Sequence, residues 1–417
     1  MSRGTKGAGA LGSVLLRGGK ASHLTGVPHG APVDLGIGAD GRVTLAGRWD
    51  GAAAFDRVVD LGGAWVSPAW IDLHVHCYYG GTWLSLRPEQ VGPATGVGLV
   101  VDCGSAGEAN WAGLREFIIA PSPFPILAYL NISTIGLVAA NRVSEFVHQV
   151  VLDPVRTAEV VEANRDLIRG IKIRASDQVV GHLGTIPLRV AKTLARAVEL
   201  PLIVHIGQAP PTLDEIFDCL EPGDMITHCF TGKLTNAVDR QPSHFRRMSA
   251  LVDAGLWIDV GHGQGSFQYR TARYAISHGL LPTTVSTDLH IGNIAGPVWD
   301  LATTMSKMLS VGMDAADVVE RVTVRPAQFL HLEGWGRAAA GTPARFTVFE
   351  LVDGEEALPD SYGNVEPIRR FFEPRYTVLD ATVTPAARNR GRAGSVSINS
   401  GDRDTPAQQD VPTRLGA

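Results

Sequence analysis

Cysteine is scarce in this chain. Four residues in 417, Cys77, Cys103, Cys219 and Cys229, are too few for a disulfide framework and lack the paired spacing of a cysteine-ligated zinc site. Reduced thiols in a cytoplasmic setting are expected. Long apolar runs are also missing. The longest early stretch, Val14-Leu15-Leu16, is too short for a secretion-signal core. No window approaches the roughly 18 apolar residues of a membrane span, so no membrane partner is expected. Nor is there an excess of one charge. Lys and Arg number 37 against 42 Asp and Glu, a net −5 spread along the chain, and no basic patch interleaves with aromatics. Nucleic acid is thereby excluded as a partner. A small-molecule substrate is the expected partner, together with a homo-oligomer built through outer helices.

What the chain has is apolar content, 45%, and 47 glycines clustered just after apolar runs. Eight such runs stand at 70–76, 98–105, 126–133, 171–176, 202–207, 225–230, 257–262 and 283–290. Most are rich in Val, Ile and Leu without polar alternation, as in strands buried on both faces of a parallel sheet. Helical segments lie between them. Asp153-Pro154 opens one as N-cap and first helical residue. Others are expected over 187–200, 213–220, 243–254, 269–278, 298–309 and 314–321, with a short one from Pro326. Eight strands alternating with helices predict an α/β fold, a closed (β/α)8 TIM-type barrel over 65–340.

The flanks differ. Residues 12–64 mix short apolar runs with turns, and Asp40-Gly41 between two of them marks a hairpin. Short strands are expected again at 346–349 and 376–379. Residues 12–64 and 341–384 are therefore expected to pair into one small β-sandwich domain. The tail, 385–417, is poor in apolar residues and predicts disorder.

Catalytic groups of such a barrel come from the C-terminal ends of its strands. The first run ends in His74-Val75-His76, and residues i and i+2 of a strand share a side, so both imidazoles can meet one ion. By itself this pair reads equally well as two hydrogen-bonded histidines. The fourth run holds Lys172 between Ile171 and Ile173, the fifth ends in His205, the sixth in His228 and the eighth in Asp288-Leu289-His290. Polar groups facing a barrel interior are costly unless paired or bound to something. A metal centre would account for all of them together.

The pattern resembles the amidohydrolase superfamily of metal-dependent hydrolases, in its deacetylase-like branch related to dihydroorotase. The resemblance spans roughly 60–350. It is carried by Asp102-Cys103-Gly104-Ser105-Ala106-Gly107, Asn131-Ile132-Ser133, Gly170-Ile171-Lys172-Ile173-Arg174, His228-Cys229-Phe230-Thr231-Gly232-Lys233, Asp259-Val260-Gly261-His262-Gly263 and Ser286-Thr287-Asp288-Leu289-His290. It implies two divalent metal ions, with zinc the expected identity, held by His74, His76, Lys172, His205, His228 and Asp288. Lys172 would carry a carbamate derived from carbon dioxide and bridge the ions. His74 and His76 would hold the first ion with Asp288, and His205 and His228 the second. Asp288 would be the catalytic residue, taking a proton from the attacking water and returning it to the leaving group.

For substrate contacts the candidates are Arg174, Tyr79, His262 and His290. Arg174 is read either as a partner for a substrate carboxylate or as a rim salt bridge. His262 either touches substrate or caps a turn. His290 stands two residues past Asp288, Tyr79 is expected to line the entrance, and Asp72 to anchor a loop. Cys77, Cys103 and Cys229 are read as packing. Cys77-Tyr78-Tyr79 replaces the arginine and asparagine that follow the His-x-His of dihydroorotase itself, and Ala69-Trp70 replaces a commoner Gly-Phe. The expected activity is hydrolysis of an amide or ester, a deacetylation of an N- or O-acylated small carboxylate. A cyclic amidase or lactonase of the dihydroorotase kind is the alternative. A metal-free barrel kept as a scaffold is a third reading, marked by ligand loss, which this chain does not show.

Overall fold

The computed structural model describes residues 12–140, 142–143, 145–146 and 152–389. Fifteen strands form two sheets. Five come first: β1 (Val14–Ala21), β2 (Pro32–Ile37), β3 (Val43–Gly47), β4 (Arg57–Asp60) and β5 (Trp65–Pro68). Seven then alternate with helices: β6 (Trp70–Val75), β7 (Val97–Cys103), β8 (Ile126–Asn131), β9 (Ile168–Ala175), β10 (Leu202–Ile206), β11 (Met225–Thr227) and β12 (Trp257–Asp259). The last three are β13 (Arg345–Pro359), β14 (Val365–Leu379) and β15 (Thr382–Pro385).

The seven alternating strands make one parallel sheet in chain order, β6 to β12. They are almost wholly buried, which explains their unbroken aliphatic sequences. The expected helices appear within a few residues of their predicted ends. Asp153 caps the helix Pro154–Glu162 by accepting from the Arg156 amide.

The eighth run departs from expectation. Residues 283–290 make only single parallel bridges, Thr284 to Asp259 and Leu289 to Val75, rather than a continuous strand. Local bonding explains this. Asp72 accepts from the Thr287 amide and hydroxyl, and Asp288 sits at φ +52°, off extended geometry. The segment still meets both edges of the parallel sheet. The Asp288 amide donates to His74 O, and the Gly263 amide to Thr287 O.

The flanks pair, but not as two stacked sheets. Their strands belong to one sheet of eight, with β4 beside β1; this sheet also takes in β5 (Trp65–Pro68), which the sequence pattern places in the barrel but which lies between β1 and β13. It curls so that Val43 near one edge and Val383 at the other share a core with Leu16, Leu35, Phe346 and Val378. The Asp40-Gly41 turn joins β2 and β3 as predicted. The two short late strands turn out to be parts of a hairpin of 15 residues per strand. Its proximal half lies in the small sheet. Its distal half, with Leu358, Ile368, Phe371 and Phe372, packs into the core around the parallel strands. Charged side chains on the exposed face hid this length from the apolar pattern. Trp70, fully buried, packs against Phe349 and Phe372 and so ties β6 to the hairpin.

The start of the tail is held down. Arg388 pairs with Glu356 and Glu373, and Asn389 bonds to Asp300 and to Trp299 O. The rest of the predicted disordered tail, 390–417, lies outside the described residues. Among the described residues, no helix is long and apolar enough to cross a membrane.

Candidate metal centre at the strand ends

The predicted ligands lie in the C-terminal halves of their strands or just beyond them, apart from Asp288, whose segment is not a continuous strand. His74 is on β6 with His76 one residue beyond it, Lys172 on β9, His205 on β10, His228 after β11, and Asp288 in the 283–290 segment. All but His228 line one cavity of about 250 Å³. His228 joins them from behind, with its Nε2 2.7 Å from His205 Nδ1. Asp288 Oδ1 is 3.3 Å from His74 Nε2 and 3.1 Å from His76 Nε2. Those three atoms form a group able to hold an ion. Ligand atoms on a tetrahedral ion with bonds of about 2.1 Å stand about 3.4 Å apart, so the spacing fits a coordination edge.

The imidazoles are oriented from outside. His74 Nδ1 meets Thr227 Oγ1 at 3.0 Å, His76 Nδ1 meets Ser105 Oγ at 2.9 Å, and His228 Nδ1 meets Gly261 O at 2.6 Å. A carbonyl can only accept, so His228 carries its proton on Nδ1 and offers a bare Nε2 inward. Thr227 in turn donates to Asp259, a buried carboxylate that also receives Thr284 and Ser286 hydroxyls. Burial pushes the pKa of His74 and His205 well below the usual imidazole range, and that of His228 down to about 4. Neutral imidazole is the ligating form. Burial opposes ionisation of Asp288, but the facing His74 and His76 imidazoles outweigh it and hold the carboxyl well below its usual range.

Two of the predicted ligands sit on strained backbone, His228 at φ +72° and Asp288 at φ +52°. Non-glycine residues occupy this region at a cost of order 1–3 kcal/mol, and such residues cluster at functional sites. Gly263 makes room beside them. It lies at φ +58°, and a Cβ there would stand 2.5 Å from Asp288 Oδ2.

Lys172 is buried, with 1% exposure. Its Nζ contacts Cys103 Sγ at 3.0 Å, its one hydrogen-bond partner among the described residues. A thiol is a poor match for a buried ammonium. Cys103, expected to be mere packing, faces the lysine and lines the cavity. Asp72 does anchor the eighth segment, through Thr287.

The four substrate-contact candidates divide. Arg174 and His290 line the cavity. Arg174 gives Nη1 to the buried Glu145 at 2.8 Å. Burial lowers His290 to about 4. Tyr79 turns away and lies half-exposed under the Arg87 guanidinium, 3.9 Å from its ring centre; Trp83 and Leu84 occupy the wall instead. His262 is wholly buried behind the site, with Nε2 2.8 Å from Lys307 Nζ and its ring stacked on Phe267. Sequence reasoning missed Trp83, Gln178, Gln208, Gln264 and Lys233 as cavity residues; only Lys233 lay in a quoted motif.

No family model matches the chain. Among curated proteins, a deacetylase from Brucella anthropi is 44% identical over 369 residues, covering 88% of this chain and 92% of that protein. The chain belongs to the amidohydrolase superfamily. A second relative of this amidohydrolase, a deacetylase from Agrobacterium fabrum, is also 44% identical, over 86% of the chain and 88% of the relative. A crystal structure described as a dihydroorotase superposes with TM-score 0.87 at 42% identity, over 90% of this chain and 98% of that one. As an amidohydrolase it is a metal-dependent hydrolase, and its α/β fold, with a seven-stranded parallel sheet, superposes on that structure.

Proposed function

We propose that this amidohydrolase is a deacetylase. It removes an acyl group from the nitrogen or oxygen of a small molecule. The observation that carries the reading is the convergence of His74, His76, His205, His228, Lys172 and Asp288, from four parallel strands and the 283–290 segment, on one place. The relatives named deacetylases, at 44% identity, give the direction of the chemistry. The dihydroorotase match supports a second reading, opening of a cyclic amide or lactone.

His74, His76 and Asp288 would hold one divalent ion and His205 and His228 another, with zinc as the metal and Lys172 between them as a carbamate. Bound there, the metals supply Lewis acidity and a water acidic enough to ionise near neutrality. Asp288 Oδ1 faces the two histidines, which leaves Oδ2 to take a proton from that water and return it to the leaving nitrogen or oxygen. Thr227, Ser105 and Gly261 keep the imidazoles aimed inward. We read residues 283–290 as the eighth stave of a barrel that begins at β6, with the sheet of β1–β5 and β13–β15 as its accessory domain.

Metal analysis of the purified enzyme and of Lys172→Ala tests this. Two metals per chain falling sharply in the variant, with loss of acyl hydrolysis, is expected. Normal metal content in Lys172→Ala would exclude the bridge.

A further inference from the structure

The cavity carries two side-chain cations besides Lys172, and they are not equivalent. Arg174 is matched by the buried Glu145 carboxylate. Lys233, in the turn after β11, has no carboxylate partner among the described residues. It is half-buried and lines the cavity. Burial alone lowers its pKa, with no neighbouring acid to offset that. An ammonium drawn partly out of water without a counter-charge gains from receiving an anion.

The rest of the wall agrees. Among the described residues Asp288 is the cavity's one carboxylate, and it is engaged with His74 and His76. The amides of Gln178, Gln208 and Gln264 have no hydrogen-bond partner among the described residues and can complete the solvation of a bound group. Lys233 also sits in register with the reacting end of the site. A Cβ on Gly265 would stand 3.9 Å from Lys233 Nζ, and one on Gly263 would stand 2.5 Å from Asp288 Oδ2. Those glycines are two residues apart, so at most about 7 Å separates their Cα atoms. The ammonium and the catalytic carboxylate thus flank one short loop.

We propose that Lys233 is the specificity residue of this site, anchoring a substrate carboxylate while the acyl group reaches Asp288. The inference rests on the hydrolase reading above and narrows it to acylated amino or hydroxy acids. One ammonium among neutral amides matches a single negative charge, not the near-double charge of a phosphate. Arg174, already paired, shapes the wall and is not the anchor.

The test uses the metal-loaded full-length enzyme. Binding by titration calorimetry and hydrolysis are measured for N-acetylalanine, N-acetylphenylalanine and O-acetyllactate, each against its own primary amide. The wild type should bind at least one acid about 10- to 100-fold more tightly than its amide. Lys233→Met should bring that ratio to within about threefold, and Lys233→Arg should keep part of it. Lys233→Gln repeats the comparison should the methionine variant fail to fold. Equal binding of every acid and its amide by the wild type overturns the proposal, as does a ratio preserved in Lys233→Met. Metal-dependent hydrolysis of acids and amides alike would remove the anchor and leave the hydrolase reading. Lys233-dependent acid binding without any hydrolysis would do the reverse.

Discussion

Replacing Thr227 by valine keeps shape and removes one hydroxyl. That hydroxyl bridges two groups: it meets His74 Nδ1 at 3.0 Å and donates to Asp259 Oδ2 at 2.8 Å. Losing both bonds in a buried place costs roughly 2–4 kcal/mol, one bond being to a charged group. The protein should stay folded, since domains hold about 5–15 kcal/mol. The larger effect is expected at the proposed metal centre, where the partner that orients a ligating histidine is worth about 10- to 100-fold in metal affinity or activity. A control separates the two consequences. Thr284 Oγ1 donates to the same Asp259 at 2.8 Å and does not touch His74. Thr284→Val should lower the denaturant midpoint comparably yet hold metal as the wild type does. The assay is metal retained against increasing chelator, with unfolding followed in parallel. Equal metal loss in both variants, or none in Thr227→Val, would refute the claim that Thr227 acts through His74.

Two further outcomes are expected. Gly263→Ala places a methyl group 2.5 Å from Asp288 Oδ2 on backbone at φ +58°, so turnover should fall at least tenfold while metal content holds; unchanged turnover would mean the loop yields freely. The Tyr362 hydroxyl, at the hairpin tip, accepts from the Gly232 amide and donates to Gly265 O, both at 3.0 Å. Tyr362→Phe should free the loop beside Lys233, raising KM several-fold more than it lowers kcat, for a stability cost of about 1–2 kcal/mol.

Much of the candidate site was legible because strands buried on both faces announce themselves as aliphatic runs, so polar residues toward their C-terminal ends stand out. His205 and His228 could be placed that way with no neighbouring motif. Tyr79 could not, because a turn between Cys77 and Thr82 sends it outward to Arg87. His262 ends its run as expected, yet its ring is captured by Lys307, 45 residues later, a contact no local pattern encodes. The eighth run kept the register of a strand in sequence but not its hydrogen bonding, since Asp72, 215 residues earlier, holds Thr287. The long hairpin was missed for a related reason: its charges are satisfied across strands and by the chain end, as in Arg375 with Glu350 and Arg388 with Glu356.

The place of β5 in the small sheet fixes an order of assembly. It sits between β1 and β13, pairing with residues 346–349 from roughly 280 positions earlier in the chain. A growing polypeptide therefore makes the first five strands long before their partner exists, and the whole parallel sheet is synthesised in between. Contacts of such sequence separation close late. The hairpin that supplies the partner also carries Ser361 and Tyr362, which brace the loops after β11 and β12. A chain released before residue 345 would own every predicted metal ligand and still lack that brace. The hairpin thus joins completion of the small sheet to completion of the pocket wall, after all the parallel strands have been made.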